Sequence, residues 1–266
     1  LQERVPRVTV FQPDIDERAG RRATVEGEQP SVRVFTDLDA PTPEVQLLSN
    51  GRLHVMVTDA GGGYMRWKDL AVTRWHEDGT LDGMGSFCYL RDLASGAVWS
   101  SAYQPTKKRA SRFEAIFSEG RAEFRRRDEG IDTHTEIVVS PEDDIELRRV
   151  RITNSSRSAR TIEVTTYCEI VLAPAIADAL HPAFSKLFVQ TEVLERPAAI
   201  LATRRRRSPE EVTPWGFQLM AIHGARGGSG EMRASAISHE TDRARFLGRG
   251  RTVELPQALV EPSGPL

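Results

Sequence analysis

Ile131-Asp132-Thr133-His134-Thr135-Glu136-Ile137-Val138-Val139 alternates β-branched with charged or polar side chains, then breaks at Ser140-Pro141-Glu142-Asp143-Asp144. A period of two places Ile131, Thr133, Thr135, Ile137 and Val139 on one face of a strand. Asp132, His134 and Glu136 fall on the other, as in a sheet with one buried and one wet side. After the acidic turn, Ile145 to Thr153 reads as a second strand, completing an antiparallel pair. Beyond a loop at Asn154-Ser155-Ser156-Arg157 comes one long strand in which Ile162, Val164, Thr166, Cys168, Ile170 and Leu172 share a face. Cys168 is thereby expected as a core thiol.

Working outward, the same pattern recurs. Val45 to Leu48 and Leu53 to Val57 flank Ser49-Asn50-Gly51, and Asn-Gly between apolar runs marks a hairpin whose central residues reach positive φ. Two more hairpins join Phe87 to Arg91 with Ala97 to Trp99 across Ser95-Gly96, and Phe113 to Phe117 with Ala122 to Arg126 across Glu119-Gly120. Further strands are expected near Phe184 to Val193, Ile200 to Thr203, Phe217 to Ile222 and Met232 to Ile237, with Gly227-Gly228-Ser229-Gly230 as a loop. Only Ala175 to Leu180 reads as helix, a turn or two before His181-Pro182. Many strands without βαβ alternation predict a mainly β fold, a large two-sheet antiparallel sandwich with few short helices. Residues 1–30, rich in charge, Pro and Gly, read as a linker or wrapping arm, leaving 31–266 for the sandwich.

Composition narrows the function classes. The chain has 266 residues with 36 Lys+Arg against 38 Asp+Glu, so it lacks the basic excess of a phosphate-backbone binder and no nucleic acid partner is expected. No apolar run approaches the roughly 18 to 20 residues of a spanning helix, since the best, Ile170 to Ala177, is broken by Pro174. No direct membrane insertion is expected. The two cysteines, Cys88 and Cys168, are too few for a disulfide framework and too far apart for a zinc or redox motif. The opening Leu1-Gln2-Glu3-Arg4 has neither Met nor a charged-then-apolar leader, so the expectation is a piece of a longer protein.

Standard catalytic signatures do not occur: there is no G-x-S-x-G elbow, no phosphate-binding G-x-x-x-x-G-K-[ST] loop and no H-E-x-x-H helix. Gly61-Gly62-Gly63-Tyr64-Met65-Arg66 fails the dinucleotide pattern at its last position and lies between strands. His134 and Glu136 offer two ligand-type side chains on one strand face, but a metal needs a third and fourth, and a solvated sheet face is the expectation. The run Arg204 to Arg207 reads as a solvated loop or strand end. Glu142-Asp143-Asp144 reads as a turn.

The densest concentration of unassigned chemistry runs from Gly61 through Tyr64, Arg66, Trp67, Lys68, Asp69 and Arg74 to Trp75. Aromatic rings stack on sugar faces and Arg or Asp side chains pair with vicinal hydroxyls, so the composition suits carbohydrate. The alternative is that Trp67 and Trp75 pack in the sandwich while the charges line a loop. Exposure of both rings on one open face would favour binding, and burial of both would favour a scaffold.

Gly61-Gly62-Gly63-Tyr64-Met65-Arg66-Trp67-Lys68-Asp69-Leu70-Ala71-Val72-Thr73-Arg74-Trp75 resembles a signature of cyclic β-1,2-glucan synthases, departing from it at Met65, where Ser is usual. The similarity continues through Gly85 to Asp92, Gln104-Pro105-Thr106, His181 to Phe188 and Phe246 to Gly250, while Leu1 to Arg7 resembles the segment leading into that module. The resemblance implies the N-terminal, galactose mutarotase-like β-supersandwich of a glycoside hydrolase family 94 module, the group that includes cellobiose and chitobiose phosphorylases. In that family a helical linker and an (α/α)6 barrel follow, and the barrel carries the general-acid Asp and most sugar and phosphate contacts. By that resemblance this stretch holds no catalytic residues and no cofactor or metal site. Inorganic phosphate serves the parent module, which trims or sets the length of β-1,2-glucan while a separate glycosyltransferase region builds it.

The implied partners are a β-glucan oligosaccharide, the barrel of the same polypeptide and a second subunit in a homodimer. The implied location is the cytoplasmic side of a bacterial inner-membrane enzyme. The family also implies that sandwich loops lie near the barrel mouth, which makes Tyr64, Arg66, Trp67, Asp69, Arg74, Trp75 and His181 the candidates for carbohydrate or domain contact. His181-Pro182 has a plainer reading too, a capped turn whose ring is satisfied by backbone. Relatives continue with further strands past the Phe246 to Gly250 motif, so the sandwich is expected to lack its last strands and to leave an edge open. A free-standing carbohydrate-binding module is the rival to the supporting domain. A self-contained sugar enzyme is disfavoured, because inverting phosphorolysis needs an acid on the glycosidic oxygen and a phosphate on the opposite face.

Overall fold

The computed structural model describes residues 32–38, 42–76, 83–206, 211–223 and 237–260. The arm at 1–30, the loop at 227–230, nearly all of the strand expected at Met232 to Ile237, and Arg207 lie outside the described residues. In chain order the strands are β1 (Arg33–Phe35), β2 (Val45–Ser49), β3 (Leu53–Thr58), β4 (Gly63–Trp67), β5 (Leu70–Thr73), β6 (Phe87–Asp92) and β7 (Val98–Ser100). They continue as β8 (Arg112–Ser118), β9 (Arg121–Asp128), β10 (Ile131–Val139), β11 (Glu146–Asn154), β12 (Ile162–Tyr167) and β13 (Ile170–Pro174). Two short helices, α1 (Ala175–Leu180) and α2 (Pro182–Lys186), precede β14 (Val189–Leu194), β15 (Ala199–Arg204) and β16 (Trp215–Leu219), and α3 (Arg243–Leu247) follows.

Two five-stranded sheets, β1-β8-β9-β10-β11 and β13-β5-β4-β3-β2, make the sandwich, and every pairing is antiparallel. Their inner faces meet through Leu48, Val55 and Val57 on one side and Phe117, Phe124 and Ile137 on the other. The alternation on β10 is as the sequence predicts: Ile131, Thr133, Thr135 and Ile137 are buried and Asp132, His134 and Glu136 are half-buried on the opposite face. The two-sheet expectation is extended by two three-stranded sheets, β12-β6-β7 and β14-β15-β16. Strand β6 is covered on both sides: Leu90 packs with Trp99, Ile131 and Ile152, while Phe87 and Tyr89 pack with Phe246, Leu247 and Leu259. The Phe246-Leu247-Gly248 motif is thus a core anchor, opened by Asp242, whose carboxylate accepts from the amides of Ala244 and Arg245.

All three predicted hairpins form, with one adjustment. In the β2–β3 turn the central residues are Gly51 and Arg52, and only Gly51 has positive φ, +86°. Asn50 serves instead through its side chain, whose carbonyl accepts from the amides of Arg52 and Leu53. The β9–β10 turn, Glu129-Gly130, is the one with both φ values positive, +48° and +84°.

The single long strand over 162–172 divides. β12 pairs with β6, β13 pairs with β5 in the other sheet, and Cys168-Glu169 turns the chain between them. An irregularity between Ile170 and Ala173 lets Val171, Leu172 and Ala173 all be buried, with Leu172 at φ +52°. The face-sharing pattern therefore spans two sheets. Cys88 is buried and Cys168 half-buried, and burial pushes both thiols up to about 11. Among the described residues no helix is long and apolar enough to cross a membrane.

Candidate functional site

The stretch from Gly61 to Trp75 is a β-hairpin of the inner sandwich rather than a loop. Gly61 (φ +95°) lies so close to the Ala102 side chain that an added Cβ would come within 2.3 Å of it. A Cβ on Gly63 (φ +143°) would meet the Met56 carbonyl at 1.9 Å. The glycines are required by backbone conformation and close approach, not by phosphate. The hairpin turn is Lys68-Asp69, with Lys68 at φ +51°.

Strand alternation separates the candidate side chains. Met65 and Trp67 stand opposite Val55 and Leu53, facing the core, whereas Tyr64 and Arg66 stand opposite Met56 and His54 on the other face. Trp67 is half-buried and donates its indole N–H to Asp144 Oδ2 at 2.6 Å, with Lys68 Nζ 4.4 Å from its ring centre. Asp144 also accepts from Arg52 Nε at 2.8 Å. These bonds, from Arg52 first and Trp67 next, hold its carboxyl below the usual carboxylate range. What read as a plain acidic turn is a clamp between the two sheets.

Tyr64 and Trp75 pack on each other, ring centres 5.3 Å apart, both half-buried. The two tryptophans therefore meet neither of the conditions set by the sequence: they are not fully buried, and they do not share an open face. Arg66 and Asp69 are exposed.

Arg74 is inside. Its Nε and Nη2 donate to the two oxygens of Asp178 at 2.8 and 2.7 Å, and its Nη1 donates to Glu169 Oε2 at 2.9 Å. Glu169 also accepts from Arg243 Nε and the Tyr167 hydroxyl, at 2.6 and 2.8 Å. Burial alone would raise both carboxyls, but these charged hydrogen bonds override it and hold Asp178 and Glu169 below their ordinary values. Arg74 is thus a structural hub joining β5, the β12–β13 link and α1, which corrects its placement among surface contacts.

His181 is exposed between α1 and α2, and it is its peptide carbonyl, not its ring, that is used, accepting from the Ser185 amide. The Arg204 to Arg207 reading is corrected at its first residue: Arg204 is a strand end but buried, 5% exposed, donating to the Val171 and Ser185 carbonyls. Arg205 and Arg206 are exposed.

A third ligand-type residue does join His134 and Glu136. Glu123 of β9 lies directly opposite Glu136, and one ligand atom from each of the three comes within 4.8 Å of the others. Arg121 and Arg125 pair with Glu123, Arg121 and Arg149 pair with Glu136, and Glu123 lies 2.8 Å from His134 Nε2. The carboxylates already have cationic partners, so the arrangement is a laced sheet face.

Sequence reasoning missed an exposed apolar strand face. More than half of the large apolar residues that stand exposed among the described residues fall between Ile176 and Ile222. Trp215, Phe217 and Leu219 line one face of β16 at 64%, 60% and 45% exposure. Gly216 and Gln218 point the other way, Gln218 Nε2 donating to Thr166 Oγ1 at 2.7 Å. Nearby, Arg204 ties β15 to α2, where Phe184 and Leu187 are exposed. The signal was present as the alternation Trp215-Gly216-Phe217-Gln218-Leu219, with the apolar set facing outward.

Comparison with known proteins gives these features a setting. The family model of the glycosyl hydrolase 94 supersandwich domain matches residues 28–266. The chain is 37% identical over 254 residues to a cyclic beta-(1,2)-glucan synthase, NdvB, of Rhizobium meliloti (strain 1021), covering 95% of this chain and 9% of that protein. An N,N'-diacetylchitobiose phosphorylase of Vibrio proteolyticus is 28% identical over 51% of this chain and 18% of its own length. A solabiose phosphorylase of Paenibacillus borealis is 26% identical over 54% and 20%. The chain thus spans a fifth or less of each of these relatives. With its antiparallel sheets, its glycine-dependent hairpin and a match over nearly its whole length, this chain belongs to the glycosyl hydrolase 94 supersandwich domain family.

Proposed function

We propose that this chain is a noncatalytic domain of a β-glucan-processing enzyme, one that supports the catalytic part of the same polypeptide and helps position the glucan. The observation that carries the reading is the outward apolar face of β16 with the exposed apolar residues of α1 and α2. Monomeric surfaces rarely hold apolar area of that kind together unless a partner covers it. In the glucan synthase and the phosphorylase the matched stretch is 9% and 18% of the length, so in proteins of that plan the rest of the polypeptide is large enough to supply such a partner. Homology supports a glucan as substrate, and inorganic phosphate as co-substrate of the phosphorylase-like part belongs to the same proposal. A place on the cytoplasmic side of the inner membrane belongs to the same proposal, as does a homodimer.

The candidates divide accordingly. Arg66, Asp69 and His181 are exposed and free to meet the catalytic part or sugar, while Tyr64, Trp67 and Trp75 are half-buried. The test is co-purification of this chain with the separately expressed remainder of its polypeptide. Trp215→Lys with Phe217→Lys should abolish the association, and undiminished association would overturn the assigned face. A free-standing carbohydrate-binding module is favoured only by Trp215 and Phe217, two exposed rings on one strand face. Saturable heat on titration with linear or cyclic β-1,2-glucan, lost in Trp215→Ala, would establish that rival instead.

A further inference from the structure

A small cavity with a mixed polar and apolar lining lies where the Gly61 turn, the segment after β7 and the inner face of β10 meet. It has about 10 Å³ open to the centre of a water molecule and is lined by Gly61, Cys88, Ser101, Gln104, Thr135 and Arg148, among others. Two of these residues present buried oxygens with no hydrogen-bond partner: Gln104 Oε1 and Thr135 Oγ1, on residues 7% and 1% exposed. An unpaired buried polar group costs about 1–3 kcal/mol, so two of them lining one cavity is an arrangement that needs a common partner.

The chemistry of the lining restricts that partner. Arg148 is already engaged by Glu146 at 2.9 Å and by the Ser86 carbonyl, so the cavity offers an anion no free cation. Gln104 Oε1 only accepts, whereas the Thr135 hydroxyl both donates and accepts. A ligand that donates one hydrogen bond to Gln104, exchanges a second with Thr135 and fits so small a space is a water molecule. We infer that this cavity is a built hydration site, in which one ordered water bridges Gln104 to Thr135 and so joins the post-β7 segment to the inner face of β10.

The inference gives the Gln104-Pro105-Thr106 motif a role the apolar core does not. The backbone of Gln104 is held by its N–H to the Ala60 carbonyl at 2.8 Å, next to the Gly61 turn. Its side chain would reach the opposite sheet through the water.

The test is a crystal structure of the 266-residue chain at a resolution that shows ordered solvent, with a double-mutant cycle beside it. A single water-sized peak within hydrogen-bond distance of both Gln104 Oε1 and Thr135 Oγ1 is expected, with no anomalous peak there after a bromide soak. Thr135→Val and Gln104→Met should each lower the unfolding midpoint, the double variant no further than the worse single, and Thr135→Ser should restore it. A dry cavity, a bromide peak or strictly additive losses would overturn the assignment.

Discussion

The outer face of β8–β11 and the outer face of β14–β16 are both open to solvent, yet they are built on opposite principles. On the first, Glu123 and Glu136 lie low, 8% and 13% exposed, and the arginines that pair with them, Arg121, Arg125 and Arg149, lie above at 46%, 52% and 68%. Each buried carboxylate has its cation and each long side chain keeps its head in water, so the face is complete as it stands. On the second, the rings of Trp215 and Phe217 and the side chain of Leu219 point outward from β16, 64%, 60% and 45% exposed. The difference teaches where the molecule ends as a protein surface and where, under the supporting role proposed above, a partner is called for.

Breaking the ground beneath the apolar face should have the largest effect. Arg74→Ala leaves Asp178 and Glu169 without their shared cation, and the expected loss is about 3–5 kcal/mol, read by urea unfolding. Hydrogen exchange should rise first in α1, α2 and β14–β16 and last in β8–β11, and uniform loosening would erase the distinction between the two regions.

Acid should act next, through the same network. The folded carboxyls of Asp178 and Glu169 sit below their unfolded values, so the folded state binds fewer protons. Their stabilisation is complete above the ordinary carboxylate range, about pH 4, and is lost as pH falls through the lowered folded values. The midpoint temperature should therefore drop steeply only below about pH 4. In Arg74→Ala that acid slope should flatten, and an unchanged slope would place the sensitivity elsewhere.

Trp67→Phe removes the indole N–H from Asp144 while keeping most of the packing, and should cost about 1 kcal/mol in denaturant unfolding. The smallest effect belongs to the charged face: Arg149→Ala should stay within about 0.5 kcal/mol of the parent, because Arg149 is highly exposed. A larger loss there would mean that this face is itself covered by a partner.

Much of this architecture was legible in the residues because local rules govern it. Alternation on β10 and the turn residues Asn50-Gly51, Ser95-Gly96 and Glu119-Gly120 act over a few positions, and the hairpins form where they point. The division at Cys168-Glu169 was not legible, since a strand that keeps its period while changing sheets carries no local mark. The roles of Asp144, Arg74 and Arg204 were hidden for a related reason. Each depends on a partner far away in the chain, at Trp67, Asp178 and Val171 respectively, and an acidic turn or an arginine run looks the same whether solvated or engaged. The open face of β16 was written in the sequence but ambiguous, because alternation identifies two faces without saying which one is covered.

Strand β6 also sets an order in time. It is buried on both sides, yet one neighbour in its sheet, β12, is made only after β8 to β11 have left the ribosome, and its other cover, around Phe246, comes later still. The β8–β11 meander can close through successive short turns while Phe87 and Tyr89 remain without Phe246, Leu247 and Leu259. During synthesis this sheet's most apolar strand is therefore the segment that waits longest, and the one a chaperone would need to shield.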